Sequence, residues 1–320
     1  MVNFYIKDDR QKVVSGTDLR ELENLGYDDV LWIDMIAPDE AERTEVERYL
    51  NISLQTSQRA EEIESSSRYY EDENALYANA TFVSPTQEEG LRVDQVSFVL
   101  CEGILISMRP VGLRAFNDTI RKLYINSKQY PTSFHLIVSV LESRIDIDAD
   151  LLEAVAKEVS VLNQDSAAKE RMHMDREVLL AINRLQDSTM TMRQSVMDKQ
   201  RIVSGFLKSD HFPSDTTPKL NIMIRDIGSL ISHADFTFER LEFLQNTVMG
   251  LISLEQNKVI KIFTVATLIF MPPTLIGSIY GMNFANMPEL NWTYGYPISL
   301  GLMALSVIII LLIFRFKKLM

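Results

Sequence analysis

Ile262 to Met282 reads IFTVATLIFMPPTLIGSIYGM, and Pro297 to Phe314 reads PISLGLMALSVIIILLIF. Neither stretch holds an Asp, Glu, Lys or Arg. About twenty such residues suffice for one helical crossing of a bilayer, and core helices of soluble proteins are usually shorter and more interrupted. Both are therefore predicted to be transmembrane helices. Basic residues set the orientation. Lys258 and Lys261 precede the first span, and Arg315, Lys317 and Lys318 follow the second. The connector Asn283 to Tyr296 has no Lys or Arg, and Glu289 is its only charge. Positive residues stay inside, so both ends are expected in the cytoplasm and the connector outside. Trp292, Tyr294 and Tyr296 suit a headgroup belt.

Upstream, the chain opens MVNFYIKDDR, which has neither the basic start nor the apolar run of a signal peptide. The location expected is the cell inner (plasma) membrane. The runs VNFYIKD, QKVVS, VLWIDMI, ALYANATFV and QVSFVLCEGILISMRP are rich in Val, Ile, Phe and Tyr, and read as strands. VSFVLCEGILISM is predicted to be a hairpin turning at Glu102-Gly103. Pro38-Asp39-Glu40 opens a helical pattern through Tyr49, and Leu54 to Glu64 suggests another. From about Pro131 the pattern is helical, over Phe134 to Asn163 and Ala167 to Leu207. A break follows, and Thr217-Pro218 is a helix start with Thr as N-cap and Pro first inside. Ile227, Ile231, Ala234, Phe238, Leu241, Leu244, Val248 and Leu251 then step by threes and fours, close to a heptad seam. The seam runs into the first span, so Thr217 to Met282 reads as one helix of about 95 Å.

The plan is an α/β cytoplasmic domain (1–130), a helical region (131–216), a stalk helix (217–261), a first span (262–282), an external loop (283–296), a second span (297–314) and a basic cytoplasmic tail (315–320). The fold class expected is an α/β domain plus long stalk helix and two-helix transmembrane hairpin, as a homo-oligomer.

Several function classes fall away. The net charge of −12 argues against a nucleic-acid partner. One cysteine, Cys101, leaves no internal disulfide, Cys-based zinc cluster or CxxC redox pair. GxxxxGK and GxGxxG loops are missing, so no nucleotide partner is expected, and no catalytic constellation suggests an enzyme.

Two helices cannot enclose an aqueous path, so any conduction needs several copies. The first span has the features of a lining. Asn257, Thr264, Thr267, Met271, Thr274 and Ser278 fall at steps of seven, three, four, three and four, on one stripe. In membranes such Thr and Ser also mediate helix packing, residue by residue. The second span has only Ser299 and Ser306 as polar side chains and reads as lipid-facing. Pro272-Pro273 removes two N–H donors and is expected to bend or loosen the helix.

The stripe ends at Tyr280-Gly281-Met282-Asn283, followed by Met287-Pro288-Glu289-Leu290. YGMN closing a first span, then MPEL, then a second span and a basic tail, resembles the CorA family of magnesium and cobalt channels. The resemblance covers the whole layout and implies a homopentamer whose first helices line the pore. It implies a filter at Gly281, Met282 and Asn283, and pore positions at Asn257, Met271 and Thr274, which the stripe also selects. Ile260 and Phe263 fall where a hydrophobic constriction is expected, and Glu289 at the entrance. Magnesium is a hard ion that sheds water reluctantly, and neutral oxygens can hold it hydrated. The implied cargo is Mg2+, with Co2+ and Ni2+ as further cargoes. Inward movement of a divalent ion across ~100 mV is favourable by about 4.6 kcal/mol, so the membrane potential can drive it.

Family members sense cytoplasmic Mg2+ between subunits. The resemblance places an acidic pair at Glu61 and Glu62, with Asp226 the nearest partner on the stalk; the aligned stalk position itself is Ile222. Two other readings fit part of this pattern: a zinc transporter with the same GMN filter, and a membrane-tethered oligomeric scaffold without flux.

Overall fold

The computed structural model describes residues 1–7, 13–22, 24–54, 68–72, 75–86, 90–168, 175–283, 287–288 and 292–316. The chain divides into two units, Met1–Gln245 and Asn246–Met320.

The first unit is built on a seven-stranded sheet of β1 (Val2–Lys7), β2 (Val13–Gly16), β3 (Val30–Ile36), β4 (Tyr69–Glu71), β5 (Ala75–Pro85), β6 (Leu91–Cys101) and β7 (Ile104–Arg109), in the order β2-β1-β3-β7-β6-β5-β4. All neighbours are antiparallel except β3 and β7. β6 and β7 are joined by Glu102-Gly103, with φ of 49° and 77°. Positive φ at both central residues matches the twist of the flanking strands, and Gly103 adopts it without a Cβ penalty.

The central strands are buried on both faces because helices cover each side. On one face Ile33, Met35, Val99 and Ile106 pack with Leu22 of α1 (Leu19–Leu22) and with Val46 and Leu50 of α2 (Glu40–Leu50). Asp39 caps α2: its side chain accepts from the Glu42 N–H at 2.8 Å while the Glu42 carboxylate accepts from the Asp39 N–H at 3.1 Å. On the other face Trp32, Phe82, Phe98 and Leu105 pack with α3 (Arg114–Ile125), α4 (Ser133–Ala168), α5 (Asp175–Lys208) and the start of α6 (Thr217–Tyr280).

Where α4 and α5 cross β5, charged groups are sealed in. Asp148 on α4 is fully buried between Arg144, which reaches Oδ1 through Nε (3.0 Å) and Nη2, and Lys199 on α5, whose Nζ lies 3.0 Å from Oδ2. That contact is an ion pair. Lys199 also donates to Thr81 O (2.7 Å), Ser195 O (3.0 Å) and Ser195 Oγ (2.6 Å). Asp198 accepts from the Thr81 hydroxyl at 2.6 Å and faces Arg68 at 3.3 Å. These contacts tie α5 to one point on β5, and α4 to α5 beside it. Groups this dry must be matched in charge and direction, so they define the docking of the helices.

Two expectations are revised. Thr217 is not a cap. Its φ and ψ are −53° and −44°, already helical, because a 3-10 turn over Ser214–Thr216 feeds the helix. The helical run expected from Ala167 begins as the end of α4, and α5 starts at Asp175. α6 runs unbroken through Pro272 and Pro273. The helix expected over Leu54–Glu64 falls almost wholly outside the described residues.

α6 has 64 residues and passes from the first unit into the second. Within the first unit Ile227, Ala234, Leu241 and Leu244 of its seam are buried. Arg193–Asp235 and Arg240–Ser160 contacts flank that seam. The second unit is the rest of α6 with α7 (Gly295–Phe316). Both helices carry stretches long and apolar enough to cross a membrane, and those stretches lie almost wholly exposed, unlike the core helix of a soluble protein.

Candidate functional site

α7 runs back along one side of α6. Ser299 and Phe314 are buried at its two ends, and Met303 Cε lies 3.6 Å from where a Cβ on Gly277 would stand. On α6 the half-buried positions are Val265, Ala266, Ile269, Pro272, Pro273, Ile276 and Tyr280, which mark the side that α7 covers. Asn257, Thr264, Thr267, Met271, Thr274 and Ser278 are all exposed. At about 100° per residue the two sets centre about 180° apart. The uncharged polar stripe therefore lies on the face opposite α7, spare after the hairpin has packed. Ile260, at 53% exposure, lies within the same stripe, and Phe263, at 69%, borders it.

The stripe continues beyond Asn257 towards the start of α6. Asn246, Gly250 and Ser253 precede Asn257 at steps of four, three and four, and all three are exposed. The sequence carries the same period there. The charged neighbours Glu255, Lys258 and Lys261 masked it.

The hydroxyls have a common polarity. Thr264 donates to Ile260 O (2.8 Å), Thr267 to Phe263 O (2.9 Å) and Thr274 to Phe270 O (2.7 Å). Ser253 likewise donates to Met249 O at 2.9 Å. Each proton is spent on the helix's own backbone, so each oxygen presents lone pairs outward. A hydrated cation presents water hydrogens outward. The stripe can thus accept hydrogen bonds from such a shell without stripping it.

α6 ends at Tyr280, one residue before the expected filter. Gly281 N–H still bonds Gly277 O (3.0 Å) and Met282 N–H bonds Ile279 O (3.3 Å), whereas Asn283 is non-helical and exposed. Gly281 sits close against the last turn: an added Cβ would lie 3.1 Å from Gly277 O. A side chain there forces the turn to shift, so glycine lets Asn283 follow a tight helix end. Met282 is 47% exposed beside it.

The second span's two serines lie on its α6 side. Ser299 is buried and Ser306 half-buried on the α6 side, donating to Tyr296 O (2.8 Å) and Met303 O (2.7 Å). With their protons satisfied on their own helix, these small residues permit close helix contact.

Of the expected sensor, Glu61 and Glu62 lie outside the described residues, as does Glu289. Asp226 is exposed on α6. It faces an acidic row on α4 at steps of four, Glu142, Asp146 and Asp150. Burial and then Glu142, with smaller contributions from Asp150 and Asp226, push the Asp146 carboxyl above its ordinary pKa, and Lys122 opposes this. Lys219 pairs with Glu142 at 3.2 Å. Among the described residues no three His, Cys, Asp or Glu side chains gather closely enough to hold one metal ion.

Residues 27–318 match the family model described as CorA-like Mg2+ transporter protein. A protein named magnesium transport protein CorA from Wolinella succinogenes is 37% identical over 293 residues, covering 90% of this chain and 91% of its own. One of the same name from Salmonella typhimurium is 32% identical over 302 residues, covering 94% and 96%. The structure titled as the complete CorA magnesium transporter from Methanocaldococcus jannaschii shares the fold with a TM-score of 0.77 over 98% of this chain and 97% of that one, at 18% identity. On the family match and these identities, the chain belongs to the CorA-like Mg2+ transporter family.

Proposed function

We propose that this chain carries hydrated Mg2+ into the cell through a pore formed by five copies, each contributing the exposed stripe of α6. The observation that carries the reading is the placement of that stripe: uncharged, lined with acceptor oxygens, and opposite the face that α7 covers. One hairpin has no interior, so the stripe becomes a path only when copies surround it. The family membership and the relatives named magnesium transport proteins support Mg2+ as the cargo.

In this reading Asn283 and the backbone around Gly281 and Met282 form the selective mouth. A ring of amide oxygens accepts hydrogen bonds from the ion's water shell, so Mg2+ need not dehydrate. Glu289 adds negative charge outside it and concentrates cations. Thr274, Met271, Thr267 and Thr264 carry the ion inward. Ile260 and Phe263 narrow the path to an apolar neck that can close by drying, and Asn257 receives the ion beyond it. No nucleotide is used: the membrane potential supplies the work. Both chain ends lie in the cytoplasm of a cell bounded by the inner membrane. Co2+ and Ni2+, hydrated divalent ions of like charge, pass by the same route. Internal Mg2+ acts on the α/β domain at carboxylates, with Glu61, Glu62 and Asp226 as the assigned group. Its binding there offsets carboxylate repulsion and favours the closed pore.

The test is Mg2+ influx into liposomes holding wild type or Asn283→Ala at equal incorporation. The variant should lose most of the flux or its preference for Mg2+. Equal flux and equal selectivity would remove the filter assignment. Absence of flux in the wild type, with the oligomer intact, would remove transport itself.

A further inference from the structure

The second unit has a one-sided charge distribution. From Asn246 onward the chain has two acids, Glu255 and Glu289, and five cations, Lys258, Lys261, Arg315, Lys317 and Lys318. Three of the cations, Lys258, Lys261 and Arg315, are described, and all are exposed. Among the described residues the only acidic partner of the three is Glu255, 3.7 Å from Lys258.

Their direction is informative. Counting about 100° per residue, Lys258 and Lys261 stand about 150° and 90° round from the centre of the polar stripe. Lys258 continues, towards the start of the helix, the side of α6 that α7 covers higher up, and Lys261 lies on the flank between that side and the stripe. Arg315 closes that side from the other helix. It follows Phe314, which is buried, so the end of α7 is held in place next to α6. From the Gly277–Met303 contact, twelve residues in each direction bring Arg315 level with Val265. That is about 6 Å along the axis from Lys261, a gap that an arginine side chain spans by reaching towards the membrane surface. Phe316, beyond it, is 86% exposed. The cations thus gather within about 10 Å along the axis, at the end of the apolar segments and on the outer flank of the hairpin. A cation placed on the stripe would repel the cargo. These are placed away from it.

We propose that Lys258, Lys261 and Arg315 form a binding site for the headgroup phosphates of anionic phospholipids in the cytoplasmic leaflet. The site rests on reading the stripe as the ion path, which turns this flank towards lipid. The chemistry is simple. The two ammonium groups and the guanidinium are donors without acceptor capacity, and a phosphodiester presents charged oxygens at the depth they reach. Each basic residue near an anionic surface strengthens attachment roughly fivefold, and salt weakens it.

The experiment counts lipids bound to the detergent-solubilised full-length protein by native mass spectrometry, titrating phosphatidylglycerol against phosphatidylcholine. The wild type should bind the anionic lipid with a preference that falls several-fold on raising the salt. Lys258→Gln/Lys261→Gln/Arg315→Gln should lower it by more than tenfold, and Lys258→Arg/Lys261→Arg should keep it. A triple variant that assembles and keeps the preference would overturn the proposal, as would a wild type that binds both lipids alike at low salt. If the triple variant does not assemble, the wild-type salt response decides alone. Lipid binding is read without flux, so a wild type that binds phosphatidylglycerol but carries no Mg2+ would sink the transport reading and leave this site standing.

Discussion

Replacing Lys199 by Met should flatten the response of this protein's stability to alkaline pH. Nζ of Lys199 is fully enclosed and holds three hydrogen bonds to Thr81 and Ser195 besides its ion pair with Asp148. Burial pushes its pKa from 10.5 down to about 8; Asp148 opposes the fall and Arg144 adds to it. The unfolded chain therefore binds a proton that the folded chain has released between about pH 8 and 10.5. Stability rises with pH wherever the unfolded state binds more protons, so it should climb through that window. At 1.36 kcal/mol per pH unit the gain from about pH 8 to about pH 9.5 is about 2 kcal/mol. Tyrosines act the other way higher up. Burial raises the Tyr5 and Tyr69 hydroxyls, and Tyr77 goes to about 12, so the unfolded chain loses those protons first and stability falls above about pH 10. The measurement is denaturant unfolding of the detergent-solubilised full-length protein, followed by fluorescence of Trp32, which is buried with Nε1 donating to Ser107 Oγ at 2.9 Å. Wild type minus Lys199→Met cancels the tyrosines. The difference should change by about 2 kcal/mol over the window. Parallel curves would refute the buried, depressed lysine. Asp148→Asn is the control for the cluster. Met at 199 leaves Arg68 and Arg144 against Asp148 and Asp198, whereas Asn at 148 leaves an excess of buried cations and should cost more, about 3–5 kcal/mol.

Thr274→Val keeps the shape but removes a lone-pair donor from the stripe; liposome influx should fall roughly tenfold, as for lost hydrogen bonds to a charged group, and Thr274→Ser should keep most of it. Gly281→Ala places a Cβ 3.1 Å from Gly277 O and should impair influx without dissociating the oligomer, checked by size-exclusion chromatography beside the flux assay. Gly205→Ala is a packing test far from the path. Its Cβ would lie 2.3 Å from the Tyr69 ring, so the N-terminal unit should lose about 1–3 kcal/mol, seen as a lower unfolding midpoint.

How much of this was legible depends on the range of the interactions. Strands and helices rest on local period, so β5, β6, β7 and the long α6 are visible in the order of Val, Phe and Leu. The Glu102-Gly103 turn is visible because a glycine between two apolar runs has few other uses. The buried cluster is not visible. Thr81, Asp148 and Lys199 come from a strand and two helices far apart in sequence, and each alone looks like an ordinary surface residue. Asp146 shows the same limit: spacing of four with Glu142 and Asp150 reads as a solvated helix face until Asp226 is brought opposite. The stripe is the most instructive case. Its period on α6 is plain in the sequence, but period alone does not distinguish a path from a packing seam, since Thr and Ser serve both. Ser299 and Ser306 prove the ambiguity, because they read as the sparse polar content of a lipid-facing helix and turn out to lie at the contact with α6. What separates the two roles is which face the neighbouring helix takes, and that follows from the whole row Val265 to Tyr280 competing for α7. Once that row wins, the threonines opposite it donate to their own helix, and their acceptor oxygens face water, a cation's water shell, or another copy of the same helix.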